Sequence, residues 1–424
     1  MVKLHIPTLL RLWRSNRNAS ALSAQEAASV SKALLNLQRG LTGDRQLAGA
    51  GYMQDKNLLG AYLLYYWPVS YTQISCCTNY FSNAFKLLAK KNDLTILDIG
   101  SGPGPASCAL TDCALRANAN LQINLDLFDS SSRALDLAKK IFECDYKENV
   151  STSCKTLNLE QTDFSLPQKK YDIIVASHSL NELWKDKADS LQKKEGLLLE
   201  LSSLLNEGGI LLLCEPALLK TSRSLIGLRD FLVKSNLTLL APCPCTSFQT
   251  ECPALKAGEN QTCHAEIQWK PVEPVATLAR LAKLDRTSVK MTFFAFKKNV
   301  EGLCKETHTL QADLPNEYCV VSDPMLNKYG RVRLLLCNGS RRIAFSAKKD
   351  DRHAKEIGFF GLSRYDTIAL EEPELRGTED APAYGVTEKT KILRRHGGAR
   401  SVAVVGELVE PQAMEAKAGT PERR

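Results

Sequence analysis

The chain has 424 residues, of which 44% are hydrophobic and 24% are charged. This composition is ordinary for a globular protein and argues against a collagenous, disordered or membrane-embedded chain. The net charge of +8 is modest for the length, so a basic surface would have to be locally concentrated to bind a polyanion. The longest apolar stretch, residues 58–67, is about half of what a membrane-spanning helix needs, so we expect no membrane partner.

The N-terminal region, residues 1–90, is predicted to be helical. Residues 20–90 show no strand-like alternation, and Ala27, Val30 and Leu34 are spaced to form one apolar helix face. The first fifteen residues are basic and lack acids, which faintly suggests a transit peptide, but no secretion signal follows. The 14 cysteines occur in a chain long enough to form a full core, so we expect a reducing compartment. The cytoplasm is the first expectation, and the mitochondrial matrix is the alternative.

The middle of the chain, residues 91–300, alternates short β-rich runs with helical stretches. The runs are Leu94–Asp98, Ile123–Phe128, Tyr171–Ala176, Ile210–Cys214, Leu237–Ala241 and Met291–Lys297. This alternation is typical of βαβ units and predicts an α/β domain with a parallel sheet. A segment rich in cysteine and proline, residues 241–265, is predicted to be a loop inserted near the end of the sheet.

Beyond residue 300 the pattern changes to β-structure. Asn338 and Gly339 form a strong two-residue hairpin signal between the runs RVRLLLC and SRRIAFSA. We therefore expect a small β domain over residues 301–370. Residues 371–424 lose apolar periodicity and mix proline, glycine and charge, so this segment is expected to be a flexible tail.

A glycine-rich loop follows the first strand of the α/β domain. Asp98 ends the strand, and Gly100, Gly102 and Gly104 follow in alternation. Glycines allow the backbone to approach a ligand closely, and the next helix start presents free amides to an anion. Asp129 ends the second strand about thirty residues later, where an acid can bind both ribose hydroxyls of a nucleoside. The pattern predicts a nucleoside cofactor site; the alternatives are a bare βα turn and a nicotinamide site, whose glycine spacing differs.

Polar residues also follow the strand YDIIVA, at the sheet edge where open α/β sheets bind substrates. His178, Asn181 and Glu182 are the candidate catalytic residues, and His178 is the natural base because histidine titrates near neutrality. The alternative is structural, with hydrogen bonds from His178 and Asn181 to the loop and Glu182 capping a helix. Glu215 ends a later strand and is expected to be a structural acceptor.

Four cysteines are concentrated in the inserted loop. They are Cys243, Cys245, Cys252 and Cys263. Thiols this close together in a polar, proline-broken segment point to metal or cluster binding more than to core packing. Four local thiolates are enough for a zinc site, but the spacing is not that of two CxxC knuckles, so zinc has no specific support.

Several motifs occur in the order found in a known family. They are RGLTGDR, YLLYYWPVSY, LDIGSGPG, ASHSLNEL, CEP, APCP, ECP, CH and the LLC hairpin. Over roughly residues 25–370 the chain resembles the methyltransferase-like family associated with the ribosomal small subunit, which has bacterial members and mitochondrial members acting in mitoribosome assembly. The resemblance implies a Rossmann-like S-adenosylmethionine methyltransferase sheet, with the glycine-rich loop as its first motif. Asp163 is placed like the family residue that binds the adenine amine, and a solvated loop acid is the alternative.

The resemblance also implies a 4Fe-4S cluster. Its ligands would be Cys243, Cys252, Cys263 and Cys337, with three from the loop and one from the β domain. The family commonly has histidine at the position of Cys245, which leaves open Cys245 as an alternative ligand or a zinc site made of local thiolates. Cys304 and Cys319 are less favoured candidates.

The implied partner is the ribosomal small subunit and its rRNA, with the chain monomeric off the ribosome. Nine basic residues between positions 328 and 355 support this, namely Lys328, Arg331, Arg333, Arg341, Arg342, Lys348, Lys349, Arg352 and Lys355. A basic hairpin that is merely solvated is the alternative, because charged strands also protect sheet edges. The sequence leaves two functions open: an rRNA methyltransferase and a non-catalytic assembly factor.

Overall fold

The computed structural model describes most of the chain in eight segments. These are residues 1–38, 53–146, 148–161, 164–235, 237–243, 251–299, 317–378 and 382–396. Among them, no helix combines the length and the apolar character that crossing a bilayer requires.

The N-terminal region is helical. Its helices are α1 (Ile6–Arg14), α2 (Ala24–Gln38), α3 (Lys56–Ala61), α4 (Trp67–Tyr80) and α5 (Ser82–Leu88). Asp55 starts α3 by accepting backbone N–H groups of two following residues, which satisfies donors that a helix start leaves unpaired. A π-helical turn, Tyr62–Tyr66, joins α3 to α4. Leu9 and Trp13 of α1 are buried, so the basic segment at the start of the chain contributes apolar side chains to the core.

The α/β domain has one large sheet. Its strands are β1 (Asp93–Ile99), β2 (Gln122–Asp129), β3 (Val150–Thr156), β4 (Tyr171–Ser177), β5 (Leu205–Pro216), β6 (Leu237–Ala241), β7 (Ala265–Gln268) and β8 (Ser288–Lys298). The order is β3-β2-β1-β4-β5-β8-β6, with β7 paired to β8. Strands β1 to β5 are parallel and β8 is antiparallel to its neighbours. Because β1 lies between β2 and β4, the chain crosses the sheet in opposite directions on its two sides, which opens a crevice at the carboxyl end of β1.

Helices cover both faces of this sheet. They are α6 (Pro105–Ala117), α7 (Ser132–Asp145), α8 (Ser190–Ser203), α9 (Leu219–Leu232), α10 (Pro253–Lys256) and α11 (Val275–Leu281). One apolar core joins the N-terminal helices, α6 and α7 to one face, and a second core joins α8 and α9 to the other. The sheet is therefore buried on both sides, as parallel sheets require.

A second sheet follows the first domain. Its strands are β9 (Glu317–Val320), β10 (Met325–Leu326), β11 (Arg331–Cys337), β12 (Arg342–Lys348), β13 (Thr367–Glu371), β14 (Glu374–Gly377), β15 (Pro382–Gly385) and β16 (Lys391–His396), with helix α12 (Arg352–Glu356) after β12. Strands β11 and β12 form the expected hairpin, but its turn is a four-residue loop, residues 338–341, because Cys337 pairs with Arg342; the two-residue turn predicted at Asn338 and Gly339 is wrong. The last three strands extend this domain to His396, past the boundary at residue 370 that the sequence suggested. Tail residues 397–424 lie outside the described residues.

The β domain packs against the α/β domain beside the cysteine-rich loop. The Tyr365 ring lies 5.9 Å from the Phe293 ring of β8 and 6.3 Å from the Tyr80 ring of α4. Arg342 donates a hydrogen bond from Nη2 to the Thr262 carbonyl at 2.7 Å. Apolar contact and hydrogen bonding thus fix the start of β12 against the loop.

Candidate functional site

The glycine-rich loop lies at the carboxyl end of β1. Gly100, Gly102 and Gly104 have φ angles of 69°, 53° and 74°, in the left-handed region that favours glycine. Gly104 is the residue before α6, so the loop ends at a helix start whose amides point into the crevice. The Gly102 N–H donates to Asp129 Oδ2 at 2.9 Å, which ties the loop to the end of β2.

The two acids of the site occupy different positions. Asp98 is buried beneath the loop, where it accepts a hydrogen bond from Ser107 Oγ at 2.6 Å, and burial raises its pKa to about 7. Burial also raises the pKa of Asp129, although bonds from the Ser131 and Gly102 N–H groups oppose the shift. Each Asp129 oxygen accepts one backbone N–H and has a lone pair left for a ligand hydroxyl. Asp129 thus keeps free acceptor sites beside the loop, whereas Asp98 is bonded to α6 through Ser107.

Tyr62 is a residue of this site that sequence reasoning did not single out. A Cβ added to Gly102 would lie 3.3 Å from the Tyr62 hydroxyl, which places this hydroxyl directly over the loop. Burial raises the pKa of Tyr62, and the nearby carboxyls of Asp129, Glu182 and Asp98 raise it further. The hydroxyl therefore faces the ends of three strands. Tyr62 belongs to the motif YLLYYWPVSY, which carried the family resemblance without an assigned role.

His178 is placed as a structural residue. Its φ angle is 58°, and its Nε2 lies 2.8 Å from the side-chain oxygen of Gln73 in α4. Burial lowers its pKa to about 4, so the ring is neutral near pH 7. Gln73 in turn donates to the Lys290 carbonyl, so the ring connects the loop after β4 to the helical region and β8. The structural alternative expected this bond to be made to the loop, whereas the partner is Gln73 of α4.

Asn181 also makes a structural contact. Its backbone N–H and its Nδ2 donate to Glu215 Oε1 at 3.2 Å and Oε2 at 2.5 Å. Burial raises the pKa of Glu215 to about 8, against the effect of the Asn181 bonds. The two residues line a cavity of about 170 Å³ together with Lys194 and Lys220. The cavity lies at the carboxyl ends of β4 and β5, where open sheets receive substrates.

The four cysteines that the family resemblance pairs lie beside the contact between the two domains. Cys243, Cys252 and Cys263 pack against the core of α8 and α9, and Cys263 and Cys337 pack against the core of the N-terminal helices. Burial raises the pKa of the Cys243 thiol well above its usual value, and nearby Arg229 opposes the shift. The thiols of Cys252, Cys337 and Cys263 raise it further. These thiols therefore lie within electrostatic range of one another, and the four-ligand set stays a prediction.

The surroundings of these thiols include several donors. The Gly339 N–H donates to Cys337 Sγ at 3.4 Å, and Cys263 Sγ lies 3.3 Å from the Tyr365 hydroxyl. The Cys252 N–H donates to Asp230 Oδ2 at 2.8 Å, which holds the loop against α9. Donors beside sulfur are characteristic of cluster sites, whose potential they tune.

In the part of the chain that the structure describes, no three His, Cys, Asp or Glu side chains are spaced to hold one metal ion. The spacing of these residues therefore supports neither zinc nor a cluster. Arg229 beside Cys243 is 1% exposed and forms an ion pair with Asp230. Cys245, Cys304 and Asp163 lie outside the described residues, and Cys319 is buried in β9 opposite Cys337.

Comparison with known proteins gives the class of the central domain. Residues 90–280 match the sequence model of a family described as a methyltransferase domain. Together with the strand order, this match shows that the central domain has the Rossmann-like methyltransferase fold. A search of curated proteins finds no match to the chain.

Several solved structures are distantly similar. A class I S-adenosylmethionine-dependent methyltransferase from Listeria monocytogenes is 11% identical, with 70% of this chain and 81% of that chain covered and a TM-score of 0.35. An rRNA methylase from Streptococcus thermophilus is 13% identical, with 52% and 95% covered and a TM-score of 0.27. A ribosomal protein L11 methylase from Lactobacillus delbrueckii subsp. bulgaricus is 13% identical, with 54% and 79% covered and a TM-score of 0.29. Similarity at this level does not identify a substrate.

Proposed function

We propose that this chain binds S-adenosylmethionine in the crevice at the end of β1 and acts on the ribosomal small subunit. The observation that carries the proposal is the loop of three left-handed glycines between β1 and α6, fixed to Asp129 by the Gly102 N–H. Such a loop allows a ligand to approach the backbone closely, because glycine has no Cβ. The start of α6 supplies N–H donors for a carboxylate. The ribosomal partner rests on the family resemblance and on the basic residues of the β domain.

The first test is cofactor binding by a Gly100→Ala variant. A Cβ at this position would overlap the Cβ of Ser179, so the loop has to shift. We expect affinity for S-adenosylhomocysteine, measured by isothermal titration calorimetry, to fall at least about tenfold, which corresponds to about 1.4 kcal/mol.

Gly330→Ala is the matched control. Gly330 also has a φ of 69°, but a Cβ there meets nothing within 4 Å, so this variant shares the backbone strain without the clash. It should bind like the unmodified chain. Equal affinities of Gly100→Ala and Gly330→Ala would place the cofactor elsewhere, and failure of the unmodified chain to bind would refute the proposal.

Two functions fit a cofactor-binding chain on the small subunit. One is methyl transfer to rRNA. The other is a non-catalytic assembly factor, which is favoured by the contact of His178 with Gln73 and by its lowered pKa of about 4, because a ring engaged in this way is a poor general base.

Transfer of labelled methyl groups to small-subunit particles from a deletion strain distinguishes the two. Labelled rRNA that depends on the intact glycine loop is the result expected of an enzyme. An assembly defect that the Gly100→Ala variant fails to rescue, with no label in the particles, is the result expected of an assembly factor. A deletion strain that shows no assembly defect, with particles that take up no label, would contradict both functions.

The second component of the proposal is a 4Fe-4S cluster held by Cys243, Cys252, Cys263 and Cys337. The packing of Cys243, Cys252 and Cys263 against one core and of Cys263 and Cys337 against the adjoining core supports it, as does the buried Arg229, whose charge would stabilise an anionic cluster. When bound, the cluster would supply a structural cross-link between the loop and the β domain or electron storage. The cytoplasm is the proposed compartment, with the mitochondrial matrix as the alternative.

A further inference from the structure

The β domain has the connectivity of a small Greek-key barrel. Strands β9, β11 and β12 follow one another as antiparallel neighbours, and α12 leads from β12 to β13, which returns to pair with β9. Strand β15 then runs parallel to β12, and β16 pairs with β13. This connectivity resembles that of the partly open OB barrel, in which the outer face of the second and third strands and the adjoining loops bind oligonucleotides. In this chain the hydrogen-bonded sheet ends at the edge strands β14 and β16.

Alternation along β11 and β12 separates an inner face from an outer face. Leu334, Leu336 and Phe345 are buried in the barrel core. The outer face carries Arg331 opposite Lys348, and Arg333 opposite Ser346. Two like charges in a directly opposed pair destabilise a sheet, and a bound anion removes this repulsion.

Part of this basic face is already engaged. Arg331 donates to the Ser346 carbonyl at 3.2 Å, and burial and nearby Arg376 lower its pKa. At the other end, Cys337 and Leu335 pack against the core of the α/β domain. The exposed basic side chains of the face are therefore Arg333 and Lys348.

Two large side chains are exposed beside this face. Tyr329, in the turn before β11, is 77% exposed, and Lys328 Nζ lies 5.1 Å above its ring. Met325 in β10, directly opposite Arg333, is 36% exposed. A tyrosine ring exposed beside cations is the pairing that receives an unpaired base and its phosphate.

We propose that Tyr329, Arg333 and Lys348 bind a short single-stranded RNA segment, with a base stacked on Tyr329 and phosphates on the two cations. We refer to these three residues as the barrel face. The proposal rests on the proposed function only for the choice of RNA as the polyanion. Because the same strand ends at Cys337, the bound RNA would lie on a surface that the cysteine site holds in a fixed orientation.

Single-stranded RNA fits this surface better than a duplex does. A duplex keeps its bases stacked inside, so it offers phosphates to Arg333 and Lys348 but no base to Tyr329. An acidic protein would likewise contact Arg333 and Lys348 and place no base on Tyr329. The contribution of Tyr329 therefore distinguishes the proposed ligand from both.

The test measures fluorescence anisotropy of labelled oligouridylate with the full chain at several salt concentrations. Tyr329→Ala is expected to weaken binding about tenfold and to leave the salt dependence unchanged, because stacking releases no counterions. Arg333→Glu with Lys348→Glu is expected to weaken binding and also to reduce the slope of log affinity against log salt by at least one. Lys139→Glu, on an exposed position of α7, is the control and should have little effect.

Three results would overturn the proposal: no binding of oligouridylate, unchanged affinity in Tyr329→Ala, or equal affinity for an RNA duplex. All variants should bind S-adenosylhomocysteine like the unmodified chain, because the barrel face is remote from the glycine loop in the fold. Loss of RNA binding with normal cofactor binding thus tests the barrel face, whereas loss of cofactor binding in Gly100→Ala tests the cofactor site.

Discussion

Replacing His5 by leucine is expected to lower the free energy of unfolding by about 3–5 kcal/mol, because it removes one partner from a buried charge network. The His5 ring is 2% exposed and bridges two carboxylates: Nδ1 lies 2.6 Å from Asp145 Oδ2, and Nε2 lies 3.0 Å from Asp112 Oδ2. Thr8 donates to the other Asp145 oxygen at 2.5 Å. The leucine variant would leave both carboxylates buried without their cation.

The same network predicts how stability depends on pH. Burial lowers the pKa of His5, but the bonds and charges of Asp112 and Asp145 outweigh it and raise the pKa from 6.5 to about 9. A histidine whose pKa is raised by folding contributes its full stabilisation below the unfolded value. That contribution decreases as pH rises from about 6.5 and is lost above about 9, with a total of about 3 kcal/mol.

Urea unfolding of the unmodified chain and of His5→Leu between pH 6 and pH 9.5 provides the measurement. The difference in stability between the two chains should shrink towards high pH. Lys139→Gln, on the same helix as Asp145 but exposed, controls for substitution in this region. If His5→Leu does not fold, the decrease in stability of the unmodified chain over this range remains a test, and a flat profile would contradict the network.

Replacing Cys337 by serine is expected to remove most of the iron and sulfide from protein purified without oxygen. Cys337 is the one proposed ligand from the β domain, and a serine oxygen is a poor replacement for thiolate at an iron–sulfur cluster. Because metal binding energy is also folding energy, the variant should unfold at a lower temperature than the loaded chain. Iron and sulfide analysis, the visible absorption spectrum and a thermal melt measure these effects.

Cys319→Ala is the matched control for this prediction. Cys319 is buried on the neighbouring strand, directly opposite Cys337, but is not among the proposed ligands. The control should retain iron and sulfide. Equal cluster content in Cys337→Ser and the unmodified chain, or stoichiometric zinc without sulfide, would overturn the proposed ligand set.

Much of the sheet could be predicted because its strands have strong local patterns. The apolar side chains of β1, β2, β4 and β5 are buried, and turn residues flank these strands. Strand β3, VSTSCKT, was missed because it lies at the sheet edge with exposed polar side chains, so its pairing with β2 decides its structure. Strand β7 has four residues, too few for a periodic signal.

The parts of the site that are formed by residues close together in the sequence could be predicted. The parts whose hydrogen-bond partners are set by tertiary contacts could not. The three glycines and Asp129 stand out because their spacing alone implies a tight loop beside a strand end. The partners of His178 and Asn181 could not be found from sequence, since Gln73 and Glu215 are distant along the chain. Tyr62 was missed for the same reason, because only packing places its hydroxyl over Gly102.

The π-helical turn at residues 62–66 has a consequence for variation in chain length. A π turn is equivalent to one extra residue in an α-helix, and each residue of an α-helix turns by about 100°. Trp67 anchors the following helix, since its Nε1 donates to the Pro103 carbonyl at 3.0 Å. Deleting one residue from the turn would leave Trp67 in place and rotate α3 about its axis, so that Tyr62 no longer points at the glycine loop. The site thus depends on the number of residues in this turn as well as on Tyr62 itself.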